Sequence, residues 1–292
     1  MLEELSAKVR SGEINPIDLV NESLRRIEAA RPLNAVVAVY ADEARSLATS
    51  HPRTGALAGL PFLVKDMARV KGHVTTSGSM LYANGTADEV DDSVVSRLRE
   101  AGAIIIGRSN SPEFGATAYT TNKVYGETRN PWNTEKSPGG SSGGSSAALA
   151  AGLTPLATTS DGGGSVRGPA SSTGLVGYKP SMGAIGRNVL PRWIDFSTQG
   201  TSGHSVADVA YEAAITHGPA VGDFLGLPAQ SIALNSVMPR RVLACRTFRT
   251  DVDPDIEANY ESMIDALVSS GVTVERVASP SDNDTIWNWF IM

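Results

Sequence analysis

The middle of the chain constrains its fold more than any other part. Residues 137 to 186 hold 13 of the 29 glycines in a 292-residue sequence, together with ten serines. A Gly/Ser tract of that kind is ordinarily a flexible linker. Here it is interrupted by Ala147-Ala148-Leu149-Ala150-Ala151 and by Val166, Leu175, Val176 and Tyr178, residues that gain most by burial. The tract reads instead as tight loops within a core, where glycine permits close approach of backbones.

The flanks alternate between helical and strand patterns. Residues 3–10 and 16–30 read as helices: Leu19, Val20, Leu24 and Ile27 recur at helical spacing, and Asn15-Pro16 is a start signal. Residues 34–40 read as a strand, 41–49 as a helix, 60–64 as an apolar run, 92–101 as a helix and 103–107 as a buried strand, with Gly102 as the helix cap. Beyond the Gly/Ser tract, 205–216 reads as a helix, 241–245 as a strand, 254–269 as a helix and 271–277 as a strand. With no internal repeat and no linker, residues 1–292 are expected to form a single α/β domain. The apolar Trp287 to Met292 stretch has no stop signal, so the chain is expected to break off in mid-element.

Composition excludes several functions. A net charge of −6 and no basic cluster argue against direct nucleic-acid binding. No basic and apolar leader and no run of about 18 apolar residues point to a cytoplasmic protein that does not enter a membrane. The lone Cys245 cannot form an internal disulfide, and the four histidines at 51, 73, 204 and 217 make no His/Cys metal site.

Three segments can carry chemistry. In the first, Lys65 ends the apolar run Leu60-Pro61-Phe62-Leu63-Val64. A strand-end lysine is usually solvated; a buried one would have its pKa driven from about 10.4 toward 7, a change of about 4 kcal/mol, and could serve as a general base. The second, Gly139-Gly140-Ser141-Ser142-Gly143-Gly144-Ser145-Ser146, precedes an Ala-rich helix. It lacks the spacing of a phosphate-binding P-loop. It does satisfy Gly-x-Ser-x-Gly, but loop-like residues stand where a nucleophile elbow needs a strand. The third, Asp161-Gly162-Gly163-Gly164-Ser165-Val166-Arg167, follows a strand-like Leu156 to Thr159. Successive glycines can turn several N–H groups toward one developing oxyanion. Ser165 would open a short helix, and Asp161 could pair with Arg167 across the turn.

Together, and in this order, the three segments resemble the amidase signature family of Ser-Ser-Lys hydrolases. The 24-residue separation of Ser141 and Ser165 agrees, as do Arg129-Asn130-Pro131-Trp132 and Gly174-Leu175-Val176-Gly177-Tyr178-Lys179-Pro180. The resemblance covers residues 5–215. It implies an α/β fold with a mixed central sheet covered by helices on both faces, of which this shorter chain is expected to lack the C-terminal part. It implies Ser165 as nucleophile, Ser141 as bridging serine after a cis peptide at Gly140, and Lys65 as neutral base. The N–H groups of Gly162, Gly163, Gly164 and Ser165 would form an oxyanion hole, with Gly140, Asp161 and Arg167 in support. No metal or organic cofactor is implied.

The partner implied is a small-molecule amide, and a homodimer is compatible with the sequence. Two alternatives stand beside a free amidase. One is the glutaminase-type subunit of a tRNA-dependent amidotransferase, and the other an inactive, truncated amidase or binding module.

Overall fold

The computed structural model describes residues 1–50, 53–188, 196–228, 232, 237–246 and 252–278. The 287–292 stretch lies outside them. The chain forms two compact units, residues 1–233 and 234–292.

The first unit runs α1 (Leu2–Ser11), α2 (Pro16–Ala29), β1 (Val36–Val39), α3 (Ala41–Ser50), β2 (Pro61–Lys65), α4 (Ser93–Glu100) and β3 (Ile104–Ser109). It continues with β4 (Thr121–Asn122), β5 (Gly126–Glu127), α5 (Gly143–Ala150), β6 (Leu156–Ala157), β7 (Thr159–Asp161), α6 (Arg167–Thr173), β8 (Val176–Tyr178), β9 (Thr198–Gly203) and α7 (Val206–Thr216). Its main sheet has the order β1-β3-β2-β6. β2 is parallel to both neighbours, and β1 is antiparallel to β3, so the sheet is mixed. A second, antiparallel sheet has the order β7-β9-β8. In the second unit, β10 (Arg241–Cys245) and β11 (Thr273–Val277) pair in parallel across α8 (Pro254–Ser269).

The strand period of two sorts the core. Leu63, Ile104 and Ile106 pack with Val20, Leu24 and Ile27 of α2, Ala44 and Ala48 of α3, and Ala147 to Leu149 of α5. Phe62, Val64 and Ile105 face the other way, against Leu2 of α1 and Val94, Val95 and Leu98 of α4, with Tyr211 and Ile215 of α7 alongside. Each large apolar side chain buried this way contributes about 1.5–3 kcal/mol. Helices thus cover both sheet faces, as the sequence implied. Two residues beyond Leu63 on the same pleat, Lys65 falls on the α5 side.

Boundaries differ from periodicity where backbone geometry intervenes. β1 begins at Val36 because Asn34 adopts a left-handed φ of 49° and its side-chain amide donates to the carbonyls of Tyr125 and Glu127. β11 begins at Thr273 because Gly271 is left-handed (φ 85°). β9, Thr-Gln-Gly-Thr-Ser-Gly, has no apolar alternation, and its place between β7 and β8 comes from pairing on both edges. The Gly/Ser tract is no linker; it holds α5, α6 and three strands.

Gly144 shows why that tract needs glycine. A Cβ there would lie 2.3 Å from Asn110 N, 2.4 Å from Asn110 O and 2.8 Å from Ala35 O, all rigid backbone. Gly168, in α6, would place a Cβ in open space. Gly144→Ala is therefore expected to destabilise the protein by about 1–3 kcal/mol, and Gly168→Ala to stabilise it by up to about 1 kcal/mol. Urea unfolding of the two variants beside the wild type checks both signs.

Candidate active site

Lys65 is the last residue of β2 and is 1% exposed. The β2–β3 register sets it beside Ser109, and its N–H donates to Thr158 Oγ1 at 2.9 Å. Its ammonium position reaches three hydroxyls, Ser141 Oγ at 2.8 Å, Ser142 Oγ at 2.9 Å and Ser160 Oγ at 3.1 Å. Among the described residues no carboxylate forms an ion pair with it. Desolvation lowers its pKa from 10.5 to about 7, and the charge of Asp161 pulls weakly in the opposite sense. Ser142 is also the N-cap of α5, so the positive end of that helix dipole opposes protonation as well.

The hydroxyl network fits a neutral amine, which has two N–H donors and one lone pair. The Ser142 hydroxyl donates to the Ser160 carbonyl at 3.2 Å, so Ser142 Oγ accepts from Lys65. One N–H and the lone pair remain for Ser141 and Ser160. In the neutral amine the lone pair can accept from the Ser141 O–H, whereas in the ammonium Nζ donates to all three hydroxyls.

The second segment reaches the lysine as the sequence implied. The Gly140–Ser141 peptide is cis, and Ser141 and Ser142 are buried at the start of α5. No strand directly precedes residue 139, so the Gly-x-Ser-x-Gly match is not a nucleophile elbow.

The third segment turns around Asp161. Its buried carboxylate accepts from Arg167 Nε and Nη2, both at 2.9 Å, and from the N–H groups of Gly164 at 2.7 Å and Val166 at 3.1 Å. Burial raises the Asp161 pKa, but the Arg167 fork and the two N–H donors outweigh it and hold the group below its usual value. These bonds correct one expectation: the Gly164 N–H is spent on Asp161 and does not face an oxyanion. The N–H groups of Gly162, Gly163 and Ser165 have no acceptor among the described residues. Ser165 stands two residues ahead of α6 rather than at its first position. Its carbonyl accepts from Ser142 N–H at 3.2 Å, which ties it to the cis loop. Ser165 Oγ and Ser141 Oγ form no hydrogen bond with each other, so one leg of the expected relay is open.

Ser142 and Ser160 carry no signal of their own in the sequence, though each adjoins a residue that does. Among the described residues no cluster of three His, Cys, Asp or Glu is placed to hold a metal ion, and no helix is long and apolar enough to cross a membrane.

A buried amine hydrogen-bonded to serine hydroxyls, with a further serine beside a glycine turn, is a Ser-Ser-Lys arrangement on a mixed α/β scaffold. The profile of the amidase family matches residues 18–292, and the chain belongs to that family. A glutamyl-tRNA(Gln) amidotransferase component of Synechococcus sp. (strain CC9605) is 34% identical over 301 residues, covering 98% of this chain and 61% of its own. The solved 6-aminohexanoate cyclic dimer hydrolase superposes with a TM-score of 0.87 at 32% identity, over 94% of this chain and 60% of that one. A bacterial aryl acylamidase of the amidase signature family gives a TM-score of 0.88 at 29% identity, over 97% and 62% respectively. The chain thus spans about three fifths of these relatives' length.

The depressed Asp161 pKa fixes a sign for stability. Its contribution is complete above the ordinary carboxylate range and is lost as pH falls through the depressed native value. Arg167 is half exposed, so solvent discounts the ion pair and the N–H bonds carry most of the effect. Asp161→Asn is expected to lose about 1–3 kcal/mol at neutral pH and to lose less than the wild type on further acidification. Urea unfolding at neutral and acid pH measures both.

Proposed function

We propose that the protein is an amidohydrolase that cleaves a carboxamide C–N bond through an acyl-enzyme on Ser165, with Ser141 and Lys65 as its proton relay. The observation that carries this is a fully buried lysine whose amine lies 2.8 Å from Ser141 Oγ, with desolvation lowering its pKa to about 7. A neutral amine at that position is a base for a hydroxyl, whereas a protonated one would only donate.

The sequence of events follows from the groups present. Ser165 Oγ attacks the amide carbonyl as its proton passes to Ser141 Oγ and the Ser141 proton to Lys65 Nζ. The Ser165 to Ser141 leg closes as substrate settles, since catalytic hydrogen bonds are often long without it. The N–H groups of Gly162, Gly163 and Ser165 receive the oxyanion, aided by the start of α6. Lys65 and Ser141 then return the proton to the leaving amine, and water repeats the steps in reverse on the acyl-enzyme. Asp161 and Arg167 hold the glycine turn in shape, and Gly140 leads into Ser141. The family match crosses both compact units, which supports reading residues 1–292 as parts of one amidase domain. A cytoplasmic location fits the single cysteine.

A second reading has support in the curated relatives named as components of a glutamyl-tRNA(Gln) amidotransferase. In that case the amide would be glutamine, and the ammonia would pass to a partner. Glutaminase assays with and without candidate amidotransferase partners separate the two; activity that depends on such partners favours the second.

Ser165→Ala and Lys65→Ala are each expected to lower kcat/KM on a turned-over amide by about a thousandfold or more, and Ser141→Ala to be severe but non-additive with Lys65→Ala. In the wild type, kcat/KM should rise with unit slope and level off above a midpoint near 7, as Lys65 loses its proton. Retention of most activity in Ser165→Ala or Lys65→Ala, with the variant folded, contradicts the assignment. A serine-directed fluorophosphonate should label Ser165 in the wild type.

A further inference from the structure

Lys65 Nζ meets three hydroxyls, and as a neutral amine it has two N–H donors and one lone pair to divide among them. Which hydroxyl receives the lone pair decides whether the amine faces the relay. Ser142 does not compete for it. The Ser142 O–H donates to the Ser160 carbonyl at 3.2 Å, and Ser142 Oγ accepts from Ser160 N–H at 3.4 Å, so toward Lys65 it is an acceptor. The choice lies between Ser141 and Ser160.

These two differ in where their hydrogens can go. Ser141 is 3% exposed, and among the described residues its Oγ has Lys65 Nζ as its one hydrogen-bonding partner. Its hydrogen therefore has the lone pair or no acceptor, and a buried O–H without an acceptor is penalised. Ser160, at the centre of β7, is only half-buried, so solvent can take its hydrogen. The neutral amine is best satisfied with its lone pair on the Ser141 O–H and its second N–H on Ser160 Oγ.

Ser160 then accepts in both charge states. When the Ser141 proton passes to Lys65, the new N–H turns to Ser141, while those to Ser142 and Ser160 stay in place. Hydrogen bonds from a charged donor are roughly twice as strong as neutral ones, so an acceptor at Ser160 favours the ammonium that the relay creates. Pairing of Ser160 with Gln199 of β9 holds that acceptor in position.

The surroundings of the amine are otherwise fixed. Asp161 of β7 is the charged group that acts on Lys65, and it is tied to Arg167. β3 sets Ser109 beside the lysine, β6 brings Leu156 and Ala157, and the first turn of α5 brings glycine and serine. Val20, Leu24 and Ile27 are what α2 buries against this face. Asp66 and Arg108, on the opposite pleat, face each other at 3.5 Å.

We propose that Ser160 is a positioning residue whose hydroxyl takes one Lys65 N–H, aims the lone pair at Ser141 and steadies the ammonium formed during turnover. This rests on the Ser165, Ser141 and Lys65 reading above and adds the control of its pH dependence.

The test follows the Lys65 titration by NMR of labelled lysine side chains, and the pH profile of kcat/KM, in the wild type, Ser160→Ala and Ser160→Thr. Loss of the acceptor weakens the ammonium more than the amine, so Ser160→Ala should move both midpoints down by roughly half to one pH unit. It should also lower kcat by about tenfold with KM little changed, a part of the roughly hundredfold or more that a placed general base contributes. Ser160→Thr keeps a hydroxyl and should restore midpoint and rate to within about twofold. If Ser160→Ala does not fold, Ser160→Cys decides, its weakly accepting sulfur giving a smaller shift in the same direction. A midpoint that stays put or rises in the folded variant, or a lowered rate that Ser160→Thr does not restore, overturns the role of Ser160 and leaves the nucleophile in place. Hydrolysis that survives Ser165→Ala overturns the underlying reading, and this role falls with it.

Discussion

A lysine amine taken wholly out of water, with hydroxyls as its hydrogen-bonding partners and no carboxylate among the described residues paired to it, is the constraint on which the site depends. Charging such a group is opposed by burial, and a shift from 10.5 to about 7 corresponds to roughly 4–5 kcal/mol at about 1.4 kcal/mol per unit. A direct ion pair would cancel that and restore an inert ammonium. The structure meets the requirement by keeping the nearby carboxylate of Asp161 occupied, since the Arg167 guanidinium and three backbone N–H groups take its lone pairs.

The rest of the first unit can be read as what it takes to keep Lys65 dry and correctly aimed. The pleat of β2 sends Leu63 and Lys65 to the α5 face, where Leu63 packs into the core and Lys65 reaches the serines. α5 must approach β3 closely enough for Ser145 Oγ to meet Ser109 Oγ at 2.7 Å, which explains why its first turn is glycine and serine. β7 then brings Ser160 to the lysine and Asp161 to the turn that carries Ser165. One helix start and one strand end thus set the distances between groups more than 70 residues apart in sequence.

Much of this was legible in the sequence. The apolar run ending in a lysine, the apolar residues within the Gly/Ser tract and the spacing of Asp161 and Arg167 each had a physical meaning before any fold was known, and β10 and α8 fall where periodicity puts them. What was not legible depends on tertiary pairing or on competition for hydrogen bonds. β9 is polar and rich in glycine, so only its neighbours make it a strand. The Gly164 N–H could serve Asp161 or an oxyanion, and composition cannot say which. Ser160 joins Lys65 because β7 follows directly on β6, the parallel neighbour of β2.

The relay requires Lys65 to be a neutral base at physiological pH, and its titration tests that requirement at the atom concerned. In protein labelled at the lysine side chains, the Lys65 resonance, assigned by its absence from Lys65→Met, can be followed by NMR from about pH 5 to about pH 11. A midpoint near 7 is expected. A midpoint above about 10, in the range of a solvated lysine, would mean that Lys65 is an ammonium at neutral pH and that Ser141 has no base.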